Sequence, residues 1–373
     1  MAIYKSLVHK ISIHPDKKTK QKDYQKRGKL PIIDQGQLLI GGYSNDLENR
    51  LICSLPVIVF GDHTRIVKYV NFPFGAGADG IKVLEPKESV LPKYLYYGTQ
   101  YLVLKLRDRG YARHYQFIEK MDLPIPSFLE QERIVSRIEE LFSQLDASVG
   151  ELKRAKKRLK VYRQAVLKEA FSNLDGSIER TISSVCESIV DCPHSTPKWT
   201  QSGKLCLRTT NFKPGYLDLS EKNYVSEETF CERITRLVPK PGDVLFSREG
   251  AILGIACIIP NRLEICMGQR MMLLRTSKDL LNKYLMYYLN SPKARTLIIE
   301  NIGGTASPHI NVGDIKQFTI PVVPLIQQQS IVAEIESRLS VCDSIEKTVD
   351  TTLQQAEALR QGILKKALEG ILL

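Results

Sequence analysis

Apolar or small residues recur at alternating steps of four and three from Ile134 through Ile138, Leu141, Leu145, Ser148, Leu152, Ala155, Leu159, Tyr162 and Val166 to Ala170. This is the heptad seam of a coiled coil, and it predicts one long helix. No proline interrupts residues 127–192, and Gly150 weakens the helix by only about 1 kcal/mol relative to alanine. A second series places Ile331, Ile335, Cys342, Ile345, Val349, Ala356, Leu359, Ile363 and Ala367 on an equivalent face, with Arg338 and Thr352 interrupting it. Pro126 and Pro324 stand just ahead of the two series, where proline can lead into a helix. Roughly forty helical residues extend about 60 Å at 1.5 Å each, and such a helix cannot bury its stripe alone. Antiparallel pairing of the two copies is the expected solution; two independent helical hairpins are the other.

Between the helices the pattern changes to short β-rich runs bounded by Gly and Pro, such as Leu55–Phe60 and Ile252–Ile259. Pro241-Gly242-Asp243 is a turn leading into a strand at Val244–Phe246. Helices are expected at Pro92–Leu104 and Asn282–Leu289, and strand-like exits at Leu123–Ile125 and Thr319–Val323. The fold class is therefore α+β: two mixed domains at 1–122 and 174–319, separated by helical regions at 123–173 and 320–373.

The chain also repeats itself. Leu129-Glu130-Gln131-Glu132-Arg133-Ile134-Val135 aligns with Ile326-Gln327-Gln328-Gln329-Ser330-Ile331-Val332, 197 residues later. The offset holds at Pro124 and Pro321, at Asp146 and Asp343, and at Arg163-Gln164 and Arg360-Gln361. Upstream, Lys93-Tyr94-Leu95-x-Tyr97 matches Lys283-Tyr284-Leu285-x-Tyr287, and Tyr24-x-x-x-Gly28-Lys29-Leu30 matches Trp199-x-x-x-Gly203-Lys204-Leu205. A period near 190 residues is too long for a solenoid and describes a duplicated two-part module.

Charge and cysteine content narrow the function. The net charge of +12 is concentrated in two stretches. Residues 1–30 carry nine Lys/Arg against Asp16 and Asp23, and residues 150–173 carry eight against Glu151 and Glu169. Such an excess points either to a polyanion, nucleic acid first, or to two solvated basic surfaces. Eight cysteines without a C-x-x-C pair fit reduced thiols, and no apolar run of 18 residues or secretory leader is present, so a cytoplasmic location is expected.

Catalytic motifs do not assemble. Gly75-Ala-Gly-Ala-Asp-Gly80 matches G-x-G-x-x-G, but a strand-like run follows it instead of a helix. Asn71-Phe72-Pro73-Phe74 carries Phe72 where adenine methyltransferases have the first Pro of Asn-Pro-Pro-Phe. Glu85-Pro86-Lys87 reads as a loop, no phosphate-binding G-x-x-x-x-G-K-[ST] exists, and Cys192 and His194 lack a second ligand pair at zinc spacing.

Together these segments resemble the DNA-specificity subunit of type I restriction-modification systems. The resemblance rests on Leu123-Pro124-Ile125-Pro126, Leu129–Val135, the heptads and Ala165–Phe171, repeated by Ile320–Leu325, Ile331-Val332 and Gly362–Leu368. Asp191–Lys198, Leu207–Asn211 and Gly242–Gly250 resemble recurrent loops of the family, and Pro31–Gly36 with Gly41–Ser44 are similar to one common subtype. It implies two target recognition domains in a tandem repeat, each reading one half of a split, asymmetric target in double-stranded DNA. Two long helices pairing as an antiparallel coiled coil would space the domains and dock two methyltransferase subunits, with restriction/translocase subunits joining through the complex. S-adenosylmethionine, ATP and Mg are then expected on partner subunits, with no cofactor or metal on this non-catalytic chain. A stand-alone DNA methyltransferase or endonuclease, and a coiled-coil scaffold without sequence readout, are the alternatives. Because Arg forks onto guanine, Asn and Gln onto adenine, and Lys, Ser and Thr hold phosphate, two candidate sets of DNA-binding residues follow. The first domain contributes Lys26, Arg27, Lys29, His63, Arg65, Arg107, Arg109 and Arg113; the second contributes Thr196, Lys198, Lys204, Arg208, Asn211, Arg248, Gln269 and Arg270.

Overall fold

The computed structural model describes residues 1–107, 110–172, 174–303 and 308–371. The chain forms two compact units, Met1–Lys153 with Asp350–Leu373, and Arg154–Val349. Each is α+β, and each is built the same way.

In the first unit, β1 (Val8–Ile11), β2 (Lys18–Thr19), β3 (Leu30–Ile33), β4 (Gly42–Ser44), β5 (Val57–Gly61), β6 (Val67–Val70), β7 (Gly75–Gly77) and β8 (Ile81–Pro86) precede α1 (Pro92–Leu104) and the first part of α2 (Phe128–Ala170). They make one sheet of order β1-β8-β5-β6 and a second of order β2-β7-β3-β4. β5 is an unbroken apolar run because both of its faces are covered. Its alternation divides the core: Ile58 and Phe60 join the cluster with Tyr94, Leu95 and Ile134, whereas Val57 and Val59 join Ile33, Phe74 and Ala76.

The second unit repeats the plan with β9 (Cys186–Asp191), β10 (Trp199–Thr200), β11 (Lys204–Leu207), β12 (Tyr224–Val225), α3 (Glu227–Arg233), β13 (Val244–Ser247), β14 (Ala256–Ile258), β15 (Cys266–Met267), β16 (Met271–Thr276) and α4 (Asn282–Leu289), followed by most of α5 (Leu325–Leu368). Its sheets have the orders β9-β16-β13-β14 and β10-β12-β11-β15. Alternation again sorts the core, with Val244, Phe246, Met272 and Leu274 in one cluster and Leu245, Met271 and Leu273 in the other.

The repeat extends to individual hydrogen bonds. Gln131 Oε1 accepts from the Leu91 N–H at 2.8 Å, while its Nε2 donates to the Pro126 and Ser89 carbonyls. Gln328 treats the Leu281 N–H and the Val323 and Asp279 carbonyls in the same manner. Leu91 and Leu281 precede α1 and α4, neither of which has a side-chain cap of its own, so a glutamine from a distant helix does that work. Tyr94 and Tyr284 donate to the Pro124 and Pro321 carbonyls, and Lys93–Glu139 and Lys283–Glu336 are matching ion pairs.

Within each unit the helical segments run antiparallel. In the first, Arg360 pairs with Asp146, and Ile363, Leu364 and Ala367 pack in the cluster of Ile134, Ile138 and Phe142. In the second, Arg163 donates to Asp343 at 2.6 Å and to Glu346 at 3.0 Å, and Arg338 donates to Glu169 at 2.9 Å. Arg338 therefore does not break the pairing: its guanidinium also lies over the Tyr162 ring. Tyr162 itself is exposed, as are Ser148, Ile345 and Leu359, which the heptad pattern placed in the seam. The half-buried Arg163, paired with Asp343, lies next to the Tyr162 position.

Ile252–Ile259 is not one strand. Only Ala256–Ile258 is extended, because Gly254 (φ +86°) turns the chain just before it. Gly75–Gly77 is β7 and the chain continues into β8, so no helix opens after Gly80. Phe74 is core, Glu85 accepts the Ser54 N–H, and Cys192 is buried. Among the described residues no helix is long and apolar enough to cross a membrane, and no group of three His, Cys, Asp or Glu is placed to hold a metal.

Candidate nucleic-acid interface

β11 and β15 are parallel neighbours whose last paired residues are Leu207 and Met267. They end level, so Arg208–Thr210 and Gly268–Arg270 emerge side by side. Gly268 is required there, since a Cβ would lie 2.2 Å from the Leu207 carbonyl oxygen. A third wall comes from the exit of β13, where the Arg248 N–H donates to the Arg270 carbonyl at 3.1 Å. Thr196, Pro197 and Trp199 close the fourth side of an open groove of about 310 Å³.

Four of the eight sequence candidates of the second unit line this groove: Thr196, Arg208, Gln269 and Arg270. Arg208 lies 5.4 Å over the ring of Trp199, which is 40% exposed, a cation–π contact on the wall of the groove. Gln269 donates to the His194 carbonyl at 2.6 Å and keeps its amide oxygen for a ligand. Lys198 is exposed beside the groove.

Three candidates already have partners within the protein. Asn211 is 4% exposed; its Oδ1 accepts the Arg208 N–H and its Nδ2 donates to the Asp218 and Glu221 carbonyls, which leaves nothing for a base. Arg248 is 6% exposed and grips Asp191 with two hydrogen bonds of 2.8 and 2.9 Å. Burial opposes its charge, but the Asp191 carboxylate outweighs burial and holds the guanidinium above the ordinary arginine pKa. Lys204 sits at the start of β11, paired with Glu264 at 2.8 Å and Glu227 at 3.7 Å.

Two groove-building residues were not among the sequence candidates, although Glu249 lies in the family-like segment Gly242–Gly250. Arg233 is 5% exposed and donates to the carbonyls of Met267 and Gly268 at 2.7 Å, and to those of Ser195 and Pro193. It thus ties two walls together. Glu249 places a carboxylate in the groove.

The first unit has the same backbone frame. β3 and β7 are parallel, and the Asp62 N–H donates to the Gly80 carbonyl as Arg248 does to Arg270. Likewise His114 N–H donates to Asp62 where Ile310 donates to Arg248. The side chains differ. Asp34 follows β3 where Arg208 follows β11, and it forms an ion pair with Lys68, whose pKa burial lowers against the pull of Asp34. His63 takes the place of Glu249 and stacks on the exposed Tyr111, ring centroids 4.2 Å apart. Lys26, Arg27 and Lys29 are exposed on the segment before β3, and Arg107 and Arg113 are exposed on the approach to His114. Arg65 is half-buried in the turn after β5, with φ +61°. Arg109 lies outside the described residues.

A paired frame with divergent side chains is matched by a family comparison: residues 8–157 and 180–355 each fit the profile of the type I restriction modification DNA specificity domain. The chain belongs to that family. Within it, the chain is 26% identical over 268 residues to the EcoKI specificity subunit of Escherichia coli (strain K12), covering 67% of this chain and 57% of that one. It thus spans little more than half the length of that relative. It is 26% identical over 360 residues to the EcoR124I/EcoR124II specificity subunit of Escherichia coli, covering 92% and 86%. A chain solved in work on complex assembly and conformational transition of the type I R-M system has the same fold, with a TM-score of 0.72, 19% identity, and coverage of 99% and 97%.

Proposed function

We propose that this chain is the sequence-specificity subunit of a type I restriction-modification complex, non-catalytic itself, with each unit reading one part of a two-part DNA target. The observation that carries this reading is the duplicated backbone frame, which presents Arg208, Glu249 and Arg270 in one copy where Asp34, His63 and Gly80 stand in the other. A conserved frame with divergent side chains suits two readers of different half-sites. In the second unit Arg208 forks onto guanine and Gln269 addresses adenine, while Thr196 and Lys198 hold phosphate. In the first, His63, Arg65, Arg107 and Arg113 approach the duplex and Lys26, Arg27 and Lys29 hold its backbone; Arg109 is assigned there from sequence alone. α2 and α5 act as the spacer and as the docking site for two methyltransferase subunits, and restriction/translocase subunits join through them. S-adenosylmethionine, ATP and Mg belong to those partners in this reading, and the complex works in the cytoplasm.

Arg208→Ala is expected to cost about 1–3 kcal/mol at one guanine of one half-site and to leave the other half-site unchanged. Titration of single-base-pair variants of the preferred duplex measures it; equal loss at both halves would exclude a modular reader. The proposal as a whole is tested by mapping methylated bases in cells that express this chain with its methyltransferase subunit. Methylation confined to one split sequence supports it, and methylation that does not depend on this chain overturns it.

A further inference from the structure

The groove of the second unit combines Arg208 and Arg270 with one carboxylate, Glu249. A carboxylate is repelled by phosphate, so it weakens DNA binding unless it receives a hydrogen bond from the DNA. The donors that DNA presents in its major groove are the exocyclic amines of adenine (N6) and cytosine (N4). We propose that Glu249 is a specificity-determining residue that accepts a hydrogen bond from such an amine, and so fixes which strand carries the amino base at one position of the target. This rests on the DNA-reading function proposed above.

The carboxylate is presented on a fixed backbone. Arg248, just before it, is anchored on Asp191; Glu249 itself bridges to His309; and the Gly250 N–H donates to the Pro308 carbonyl at 2.9 Å. Gly250 has φ +84°, and a Cβ there would meet Arg270 Nη1 at 3.3 Å, so glycine lets the arginine fold across. Arg270 is itself held at φ +66°, a region rarely adopted by residues other than glycine. Its Nε stands 3.9 Å from Glu249 Oε2, beyond hydrogen-bond length. The arginine therefore balances the charge of the carboxylate without consuming its lone pairs, and the Glu249 side chain remains 31% exposed to the groove. Nor does the frame need an acid here, because His63 fills the equivalent place in the first unit.

The test compares the full-length wild type and Glu249→Ala on pools of randomised duplex DNA. The wild type is expected to prefer an amino base (A or C) over a keto base (G or T) at one position of one half-site. Glu249→Ala, which removes the acceptor, should lose that preference about tenfold, with the other half-site and the gap unchanged. Independently of the variant, the wild type is titrated with duplexes in which each adenine or cytosine of that half-site is replaced by purine or 2-pyrimidinone, which lack the amine. One such replacement should weaken binding about tenfold. Identical base preferences in Glu249→Ala and wild type, uniform weakening across all sequences, or indifference of the wild type to every amine deletion would overturn the role of Glu249. A wild type that enriches no sequence would instead overturn the DNA-reading function itself.

Discussion

Arg248→Ala is expected to destabilise the second unit by about 3–5 kcal/mol, the usual cost of removing one partner from a buried ion pair. Asp191 is 15% exposed and would lose both guanidinium hydrogen bonds, with only the exposed His194 Nε2 remaining among the described residues, at 3.2 Å. Because the Arg248 backbone joins the Arg270 carbonyl and the Ile310 N–H, the loss also loosens two groove walls. Hydrogen exchange resolves the effect by position: protection should fall in β9, β13 and β16 and hold in β1, β5 and β8. Arg248→Ala should also abolish reading of one half-site, but by unfolding its reader; a variant with undiminished protection that still loses the half-site would place Arg248 on the DNA after all.

Gln328→Leu is expected to cost about 2–4 kcal/mol, since it removes the side-chain partner of the Leu281 N–H and of the Asp279 and Val323 carbonyls. Gln328 is fully buried and its replacement of similar bulk adds no compensating bond. Gln131→Leu should do the same to the Leu91 N–H and the Ser89 and Pro126 carbonyls of the first unit. Denaturant unfolding with a probe in each unit checks this, and each variant should shift only its own transition. The exposed pairs Lys93–Glu139 and Lys283–Glu336, by contrast, should contribute about 0–1 kcal/mol each.

Much of the fold was legible in the chain because its signals are local. Periodicity marked both long helices, Pro92 and the residues after it marked α1, and Pro241-Gly242 marked the entry to β13. The tandem repeat was legible too, although the glutamine shared by Leu129–Val135 and Ile326–Val332 looked like one polar position among many. Only burial reveals it as a cap for a helix 40 or 47 residues away. The interface was harder to read because exposure decides it. A basic or amide side chain can face DNA or brace a loop, and the sequence does not say which. Arg248 is claimed by Asp191, 57 residues earlier, and Asn211 by its own loop. A search for cations also passes over Glu249 and Trp199, whose importance lies in what stands beside them. Charge was similarly ambiguous: in the basic stretch of α2, Arg163 and Lys156 are answered by Asp343 and Glu346.

The central claim is that one chain carries two different readers. Selection from randomised duplex DNA by the purified full-length chain tests it most directly, with Arg208→Ala run in parallel. Two dissimilar short motifs at one fixed gap, with only one of them relaxed by Arg208→Ala, is the expected outcome. Enrichment of a single motif, of a palindrome, or of no sequence would contradict it.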